Sequence, residues 1–267
     1  MRANLARAGL VAVALVMSLP ILYLVSLSLR TNDDVLNGGW LPTALYRGNW
    51  PRAFDTVPLA RMLANSWVVA LGSALLTGLV AVPAAYVTAR ARRHGRRLGT
   101  ALLASYCAPP VVAMLPLYHL LRHLGLTNSL LGLALVTGLA NVPVAVWLLD
   151  GFVRRVPVEV EEAAWLDGAG TGHGLLRVVL PLIAPGVVAA LLICLFLSYN
   201  EFLFAVSFSQ RTDSQTLTVG LSLFQGDRTV QFGQQAAASL VAIAPMYAVA
   251  VIAQRWLVAG LTTGATK

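Results

Sequence analysis

Glu162-Ala163-Ala164-Trp165-Leu166-Asp167-Gly168, followed by Val178-Val179-Leu180-Pro181, is the stretch on which the reading of this chain turns. It lies in a polar, glycine-punctuated segment, 151–183, and almost everything on either side of it is apolar. The chain has 267 residues, 58% of them hydrophobic and 11% charged, with a mean hydropathy of +0.74. A soluble domain carries about 25% charged residues, and a bilayer-spanning helix needs about 20 mostly apolar ones. Six such runs stand out, at 8–29, 64–89, 98–121, 129–150, 184–209 and 236–257. One buried soluble core does not produce six long runs. The expected fold is all-α: a single membrane domain, 1–267, of six transmembrane helices, with the polar segment as a loop between helices 4 and 5 and no linker or internal repeat.

The net charge of +8 would suggest nucleic acid in a soluble protein. Here the positions of the charges argue for topology instead. Arg90, Arg92, Arg93, Arg96 and Arg97 crowd what reads as one short loop after the second run; Arg154, Arg155 and Arg177 follow the fourth, and Arg2 and Arg7 precede the first. Basic residues mark cytoplasmic faces, so both termini and the 151–183 loop are expected inside. Arg30, Arg47, Arg52 and Arg61 fall on the other side, in a first external loop over 30–61 that also carries Trp40 and Trp50, aromatics suited to the membrane interface. The arginine cluster reads as a topology anchor rather than a binding patch, and no nucleic-acid partner is expected. The N-terminal run lacks a small-x-small cleavage site and reads as the first spanning helix. Cys107 and Cys194 both lie in apolar runs, with no disulfide framework and no metal spacing.

Prolines recur inside the runs: Pro83 interrupts the second, Pro109, Pro110 and Pro116 the third, Pro143 the fourth. Each removes a backbone hydrogen bond, tolerated in a membrane where neighbours satisfy the freed carbonyl. Within the polar loop, Pro157 suits a helix start, Glu159, Glu161 and Glu162 favour the positive end of its dipole, and Gly168 can end it. Thr171 is placed to cap a second short helix, 172–180, stopped by Pro181. Two short helices lying across the membrane surface follow. Ala163 and Ala164 keep one face shallow enough for another protein to approach.

Lys267 is the only lysine. A phosphate-cradling loop needs Lys followed by Ser or Thr after glycine-rich backbone, so this chain has no ATP site of that kind. Any ATP-driven work must come from a partner, and the segment with Glu162 is the obvious place to receive it. Glu201 is the only acidic residue placed well inside an apolar run. Intramembrane carboxylates face a cavity or a partner, so Tyr199, Asn200 and Glu201 are candidates to line a solute path, as are Asn65 and Asn141; a polar knot between helices would use the same residue types. His119 and His123, four apart, would share a helix face, but no third metal ligand is evident and they read as interface histidines.

Glu162, Gly168, Leu180 and Pro181 fall in register on the pattern Glu-Ala-Ala, three residues, Gly, nine residues, aliphatic, any residue, Leu-Pro, with Val178 where Ile is usual. This resembles the cytoplasmic coupling loop of ABC-importer permeases. The order of Asn65-Ser66, Ala84-Ala85-Tyr86-Val87-Thr88-Ala89-Arg90, Tyr199-Asn200-Glu201-Phe202 (Trp is usual at Tyr199) and Ala259-Gly260-Leu261-Thr262 is similar to the carbohydrate branch of the type I importers, in particular the shorter, six-span partner of the maltose-system pair.

The resemblance implies a permease subunit, not an enzyme, in a bacterial plasma (inner) membrane. It would form half of the pathway for a sugar, a di- or oligosaccharide, delivered by an extracellular or periplasmic solute-binding protein. A second permease subunit would form the other half. A P-loop ATPase dimer would hold ATP and Mg and receive the loop through Glu162, Ala163, Ala164, Asp167, Gly168, Leu180 and Pro181; closure of the ATPases would open the cavity outward. The segment 210–235 resembles the external part that reaches the binding protein. Other readings stay open: a permease for another polar solute (polyol, glycerol phosphate or amino acid), or an ion-coupled carrier using Glu201.

Overall fold

A computed structural model describes residues 2–225 and 230–262; Lys267 lies outside the described residues, as do the side chains of Arg2 and Arg92 and those of the segment Ala259–Thr262. The helices run in the order α1 (Arg2–Ser28), α2 (Asn32–Leu36), α3 (Asn49–Thr56), α4 (Leu59–Arg90), α5 (Arg92–Tyr106), α6 (Pro110–His123), α7 (Leu130–Val153), α8 (Val158–Leu166), α9 (Thr171–His173), α10 (Leu180–Tyr199), α11 (Leu203–Phe208), α12 (Leu217–Ser222) and α13 (Phe232–Thr262). Among the described residues, five stretches are long and apolar enough to cross a membrane: Gly9–Ser28, Leu59–Arg90, Leu130–Val153, Thr171–Tyr199 and Phe232–Gln254. A sixth crossing is supplied only if α5 and α6, bent by 94°, count together.

Four expectations are corrected. The third run is two helices, because Pro109 and Pro110 both lack an N–H and Pro109 takes an extended conformation (φ −59°, ψ 125°) just before α6. The arginine loop is not a loop: the chain breaks only at Ala91, and Arg92, Arg93, Arg96 and Arg97 open α5. Pro83 lies inside a continuous α4. The fifth run ends as a helix at Tyr199 and resumes only as the short α11.

The chain packs as two compact units, Met1–Leu63 with Val219–Tyr247 and Ala64–Thr218 with Ala248–Lys267. In the first, Arg30 is fully buried and organises the loop after α1. Its Nε donates to Asp34 Oδ2 at 2.9 Å, Nη1 to the Gly39 carbonyl at 3.0 Å, and Nη2 to the carbonyls of Gly38 (2.9 Å) and Asp34. The Arg30 hydrogen bond also holds the Asp34 carboxyl below its ordinary range. Arg30, counted among the charges on the external side, is therefore an internal ion pair that carries little weight in topology.

The second unit is built on α4, α7 and α10. Small residues let them approach closely, as expected where packing rather than hydrophobicity drives association: Ala81, Ala85, Ala145 and Ala190 are all buried at their contact with Val146, Leu149, Val179 and Ile183. Midway along α4 the helices are stitched by hydroxyls and one amide. Ser73 Oγ and Ser198 Oγ share a hydrogen bond of 2.7 Å, Thr137 Oγ1 donates to Ser73 Oγ at 3.1 Å, and Asn141 Nδ2 donates to Ser198 Oγ at 2.8 Å. Thr77 Oγ1 donates to the Gly138 carbonyl at 2.8 Å.

Candidate functional site

The end of α4 and the polar segment meet through a charged network. Tyr86 and Arg90, one helical turn apart, face α8. The Tyr86 hydroxyl donates to Glu161 Oε2 at 2.7 Å and Arg90 Nε to Glu161 Oε1 at 2.7 Å, while Arg90 Nη2 donates to the Val156 carbonyl at 2.8 Å. Glu161 is fully buried, so a carboxylate is held away from water by a guanidinium and a phenol that occupy both of its oxygens. Arg154 closes the other side. It chelates Asp150 through Nε at 2.6 Å and Nη2 at 3.0 Å, and the same Nη2 donates to the Thr88 carbonyl at 3.0 Å, one of the orphan acceptors at the end of α4.

Glu161 thus anchors α8, while Glu162 next to it is exposed. Ala163, Asp167 and Gly168 are exposed too, with Ala164 half-buried. Helix α8 ends as the glycine suggested: Gly168 has φ 87°, its N–H donates to the Trp165 carbonyl at 3.0 Å, and the next N–H, of Ala169, reaches back to Ala164 at 3.0 Å. That double closure requires a left-handed residue, which glycine adopts without cost. Leu166, in the last turn, is 89% exposed.

Beyond Gly168 the expected second short helix, 172–180 ending at Pro181, does not form as a separate element. Residues Thr171–Tyr199 make one helical span, with a wider π-type stretch over Gly174–Val179. The Leu180 N–H bonds the Leu175 carbonyl, five residues back, immediately before Pro181. A proline is accepted there because its missing N–H falls where the register returns from five to four residues and one donor is dispensable. Leu180 and Pro181 therefore form the junction into α10.

The solute candidates are dispersed. Asn65, buried at the opposite end of α4, donates through Nδ2 to the carbonyls of Asp213 (3.0 Å) and Gln215 (2.9 Å). Ser66 Oγ accepts the Leu217 N–H at 2.8 Å, and Asn128 Oδ1 accepts those of Gln210 and Arg211 at 2.7 and 3.0 Å. The start of the 210–235 segment is thereby sewn to helix ends. Asn141 belongs to the mid-helix knot. Tyr199 is buried beside Trp67, ring centroids 5.5 Å apart. Asn200, exposed, donates to the Phe196 carbonyl at 2.8 Å and closes α10. Glu201 caps α11: its two oxygens accept the N–H groups of Phe204 and Ala205, each at 3.0 Å. A cavity of about 1000 Å³ lies along Pro109, Val112, Pro116, Leu139, Pro143 and Phe204; it is apolar, and Asn65, Asn141, Tyr199, Asn200 and Glu201 are not among the residues that line it. His119 and His123 are both exposed on α6.

Residue identity alone pointed to Glu162 and passed over Glu161, Arg90, Tyr86 and Arg154. The available signal was the four-residue spacing of Tyr86 and Arg90, a single helix face.

Comparison with known proteins places this geometry. The chain is 41% identical over 220 residues, 82% of its length and 96% of the relative's, to a putative ABC transporter permease protein, ORF1, of Streptomyces antibioticus. It is 36% identical to the sulfoquinovosyl glycerol transport system permease protein SmoH of Agrobacterium fabrum, covering 93% of this chain and 88% of that one. Identity to the trehalose transport system permease protein SugB of Mycobacterium tuberculosis is 32%, over 93% and 92% of the two chains. In fold it is similar, at a TM-score of 0.77 and 22% identity over 94% of this chain and 95% of the other, to a chain in the crystal structure of a bacterial ABC transporter involved in the import of the acidic polysaccharide alginate. Residues 79–263, which span the Arg90–Glu161 network and the Glu162–Pro181 pattern, match the binding-protein-dependent transport system inner membrane component family, and the chain belongs to that family.

Proposed function

We propose that this chain forms half of the membrane pathway of an ATP-driven sugar importer and that α8 is the surface on which a separate ATPase docks. The observation that carries the reading is the pairing of a buried charge with an exposed apolar tip: Glu161 pins one face of α8 while Leu166 stands 89% exposed beyond it. A large side chain so exposed on the polar end of a membrane protein suits a partner that covers it. Glu162, Ala163, Ala164, Asp167 and Gly168 would frame the contact, and Leu180 and Pro181 would pass its movement into α10. ATP and Mg would be held by the P-loop ATPase dimer. Both termini and α8 would face the cytoplasm of a bacterial inner membrane, with a second permease chain beside this one and a solute-binding protein outside.

The solute is a sugar on the strength of two relatives of more than 30% identity whose names specify trehalose and sulfoquinovosyl glycerol, both glycosides. Among the candidates Asn65, Asn141, Tyr199, Asn200 and Glu201, the exposed Asn200 at the break after α10 is the best placed to meet it. Glu201 spends both oxygens on backbone N–H groups, which favours an importer powered by a partner over a carrier driven through this carboxylate.

Tagged purification in mild detergent tests the reading. The wild-type chain is expected to bring a P-loop ATPase and a second permease, and Leu166→Arg to lose the ATPase while keeping the permease. A wild-type chain that purifies alone would defeat the importer assignment; undiminished ATPase on Leu166→Arg would defeat the docking role of α8. ATP-dependent uptake of labelled trehalose, challenged with a polyol, glycerol phosphate and an amino acid, decides the solute class.

A further inference from the structure

Arg93, Arg96 and Arg97 differ from the arginines that form ion pairs. Arg30, Arg90, Arg154 and Arg211 each face a carboxylate, at 2.9, 2.5, 2.6 and 2.7 Å. Arg93, Arg96 and Arg97 are exposed, and among the described residues no acidic side chain pairs with them. With Thr100, Ala101 and Ala104 they follow the three-and-four spacing of one helix face and line a groove of about 660 Å³. Along its length the groove changes character, from three guanidinium groups through the Thr100 hydroxyl to the methyls of Ala101 and Ala104.

Its position follows from contacts within the same unit. The Arg90–Glu161 pair puts the end of α4 beside α8, and α5 starts two residues after Arg90. Gly95 holds α5 against that end: a Cβ there would lie 2.6 Å from the carbonyl oxygens of both Val87 and Thr88, so no side chain fits. The basic end of the groove is thus on the α8 side, and its methyl floor runs toward the proline bend.

We propose that this groove binds the phosphate of an acidic phospholipid from the leaflet on the α8 side, with the first methylenes of an acyl chain on Ala101 and Ala104. Guanidinium forks match phosphate oxygens two at a time, and basic clusters beside a membrane span attract anionic headgroups. A soluble phosphate ester offers the same phosphate but nothing for the apolar floor. Because Gly95 seats α5 on the end of α4, a lipid that steadies α5 also steadies the helix end that carries Arg90.

Native mass spectrometry of the full chain, with whatever subunits accompany it, tests this in an equimolar mixture of phosphatidylglycerol and phosphatidylcholine. A preference for phosphatidylglycerol of about tenfold is expected, weakening as salt screens the charges. Ala104→Trp, which fills the floor without changing charge or topology, should abolish it. Replacing Arg93, Arg96 and Arg97 together by Lys keeps the positive charge and should leave a reduced preference. Arg211→Gln should have no effect. Equal retention of the two lipids, or a preference that survives Ala104→Trp unchanged, would overturn the proposal. Displacement of phosphatidylglycerol by millimolar inorganic phosphate would mark a free-anion site and overturn the assignment to lipid.

Discussion

Two polar networks hold the second unit together, and they are made of different chemistry. The one between α4 and α8 is ionic: Arg90, Glu161 and Tyr86, with Arg154 and Asp150 alongside. The one that joins α4, α7 and α10 through Ser73, Thr137, Asn141 and Ser198 carries no charge at all. Ser73 and Arg90 are 17 residues apart on one helix, a separation of about 25 Å. Depth explains the difference. A charge at the middle of a bilayer is costly, whereas neutral hydrogen bonds there cost little and hold helices in register. At the helix end, water and headgroups are close, and an ion pair can be built whose two members are each expensive to leave alone. The ionic network is thus a rigid anchor beside the proposed docking face, and the neutral one fastens the helices that carry it.

The largest effect should come from breaking the ionic anchor. Glu161→Leu strands Arg90, and since Arg90 keeps 17% exposure the loss should lie near the lower end of the scale of about 3–5 kcal/mol for orphaning a buried ion. Thermal unfolding in detergent measures it, and uptake should fall to background. The reversed pair Arg90→Glu with Glu161→Arg should recover part of the stability; no recovery would mean that geometry, not charge, makes the anchor. Glu162→Gln, at the exposed neighbour, should stay within about 0.5 kcal/mol. Equal losses at the two glutamates would erase the distinction between anchor and docking face.

Gly168→Val comes next, forcing a β-branched residue into the left-handed region for about 1–2 kcal/mol. It should abolish uptake while the chain still inserts, and normal transport would count heavily against α8 as the coupling element. In the neutral network, Asn141→Leu should cost about 1 kcal/mol, because interhelical hydrogen bonds in membranes average about 0.6 and reach about 1.7 kcal/mol. A double-mutant cycle with Ser198→Ala should show coupling, and a loss as large as that of Glu161→Leu would remove the contrast between the networks. Glu201→Gln, which keeps one acceptor for the start of α11, should be the mildest, at a few tenths of a kcal/mol; proton-coupled uptake lost in this variant alone would revive the carrier reading.

Much of the fold was legible because its causes are local. Apolar run length marks a span wherever the chain goes in space, and Gly168 needs no distant residue to end α8. Where the reading slipped, a second residue was involved. Pro181 looked like a stop, but the widened turn before it removed the conflict with the carbonyl behind. Pro109 and Pro110 were expected to kink one span and instead divide it. Arg92 to Arg97 looked like a loop because charge suggests solvent, although arginine is a good helix former.

By itself the sequence determined that the chain is helical and membrane-embedded, where the polar segment interrupts it, and that the in-register Glu162–Pro181 pattern marks the family, since all of these depend on composition, run length and spacing along the chain. Only the tertiary structure decided which of Glu159, Glu161 and Glu162 is buried, that Arg90 rather than Arg93 meets it, and that Asn141 is taken up by a neighbouring helix. Those outcomes depend on which faces of α4, α8 and α10 are brought together, and residues far apart in the chain carry no local sign of the partner that will desolvate them.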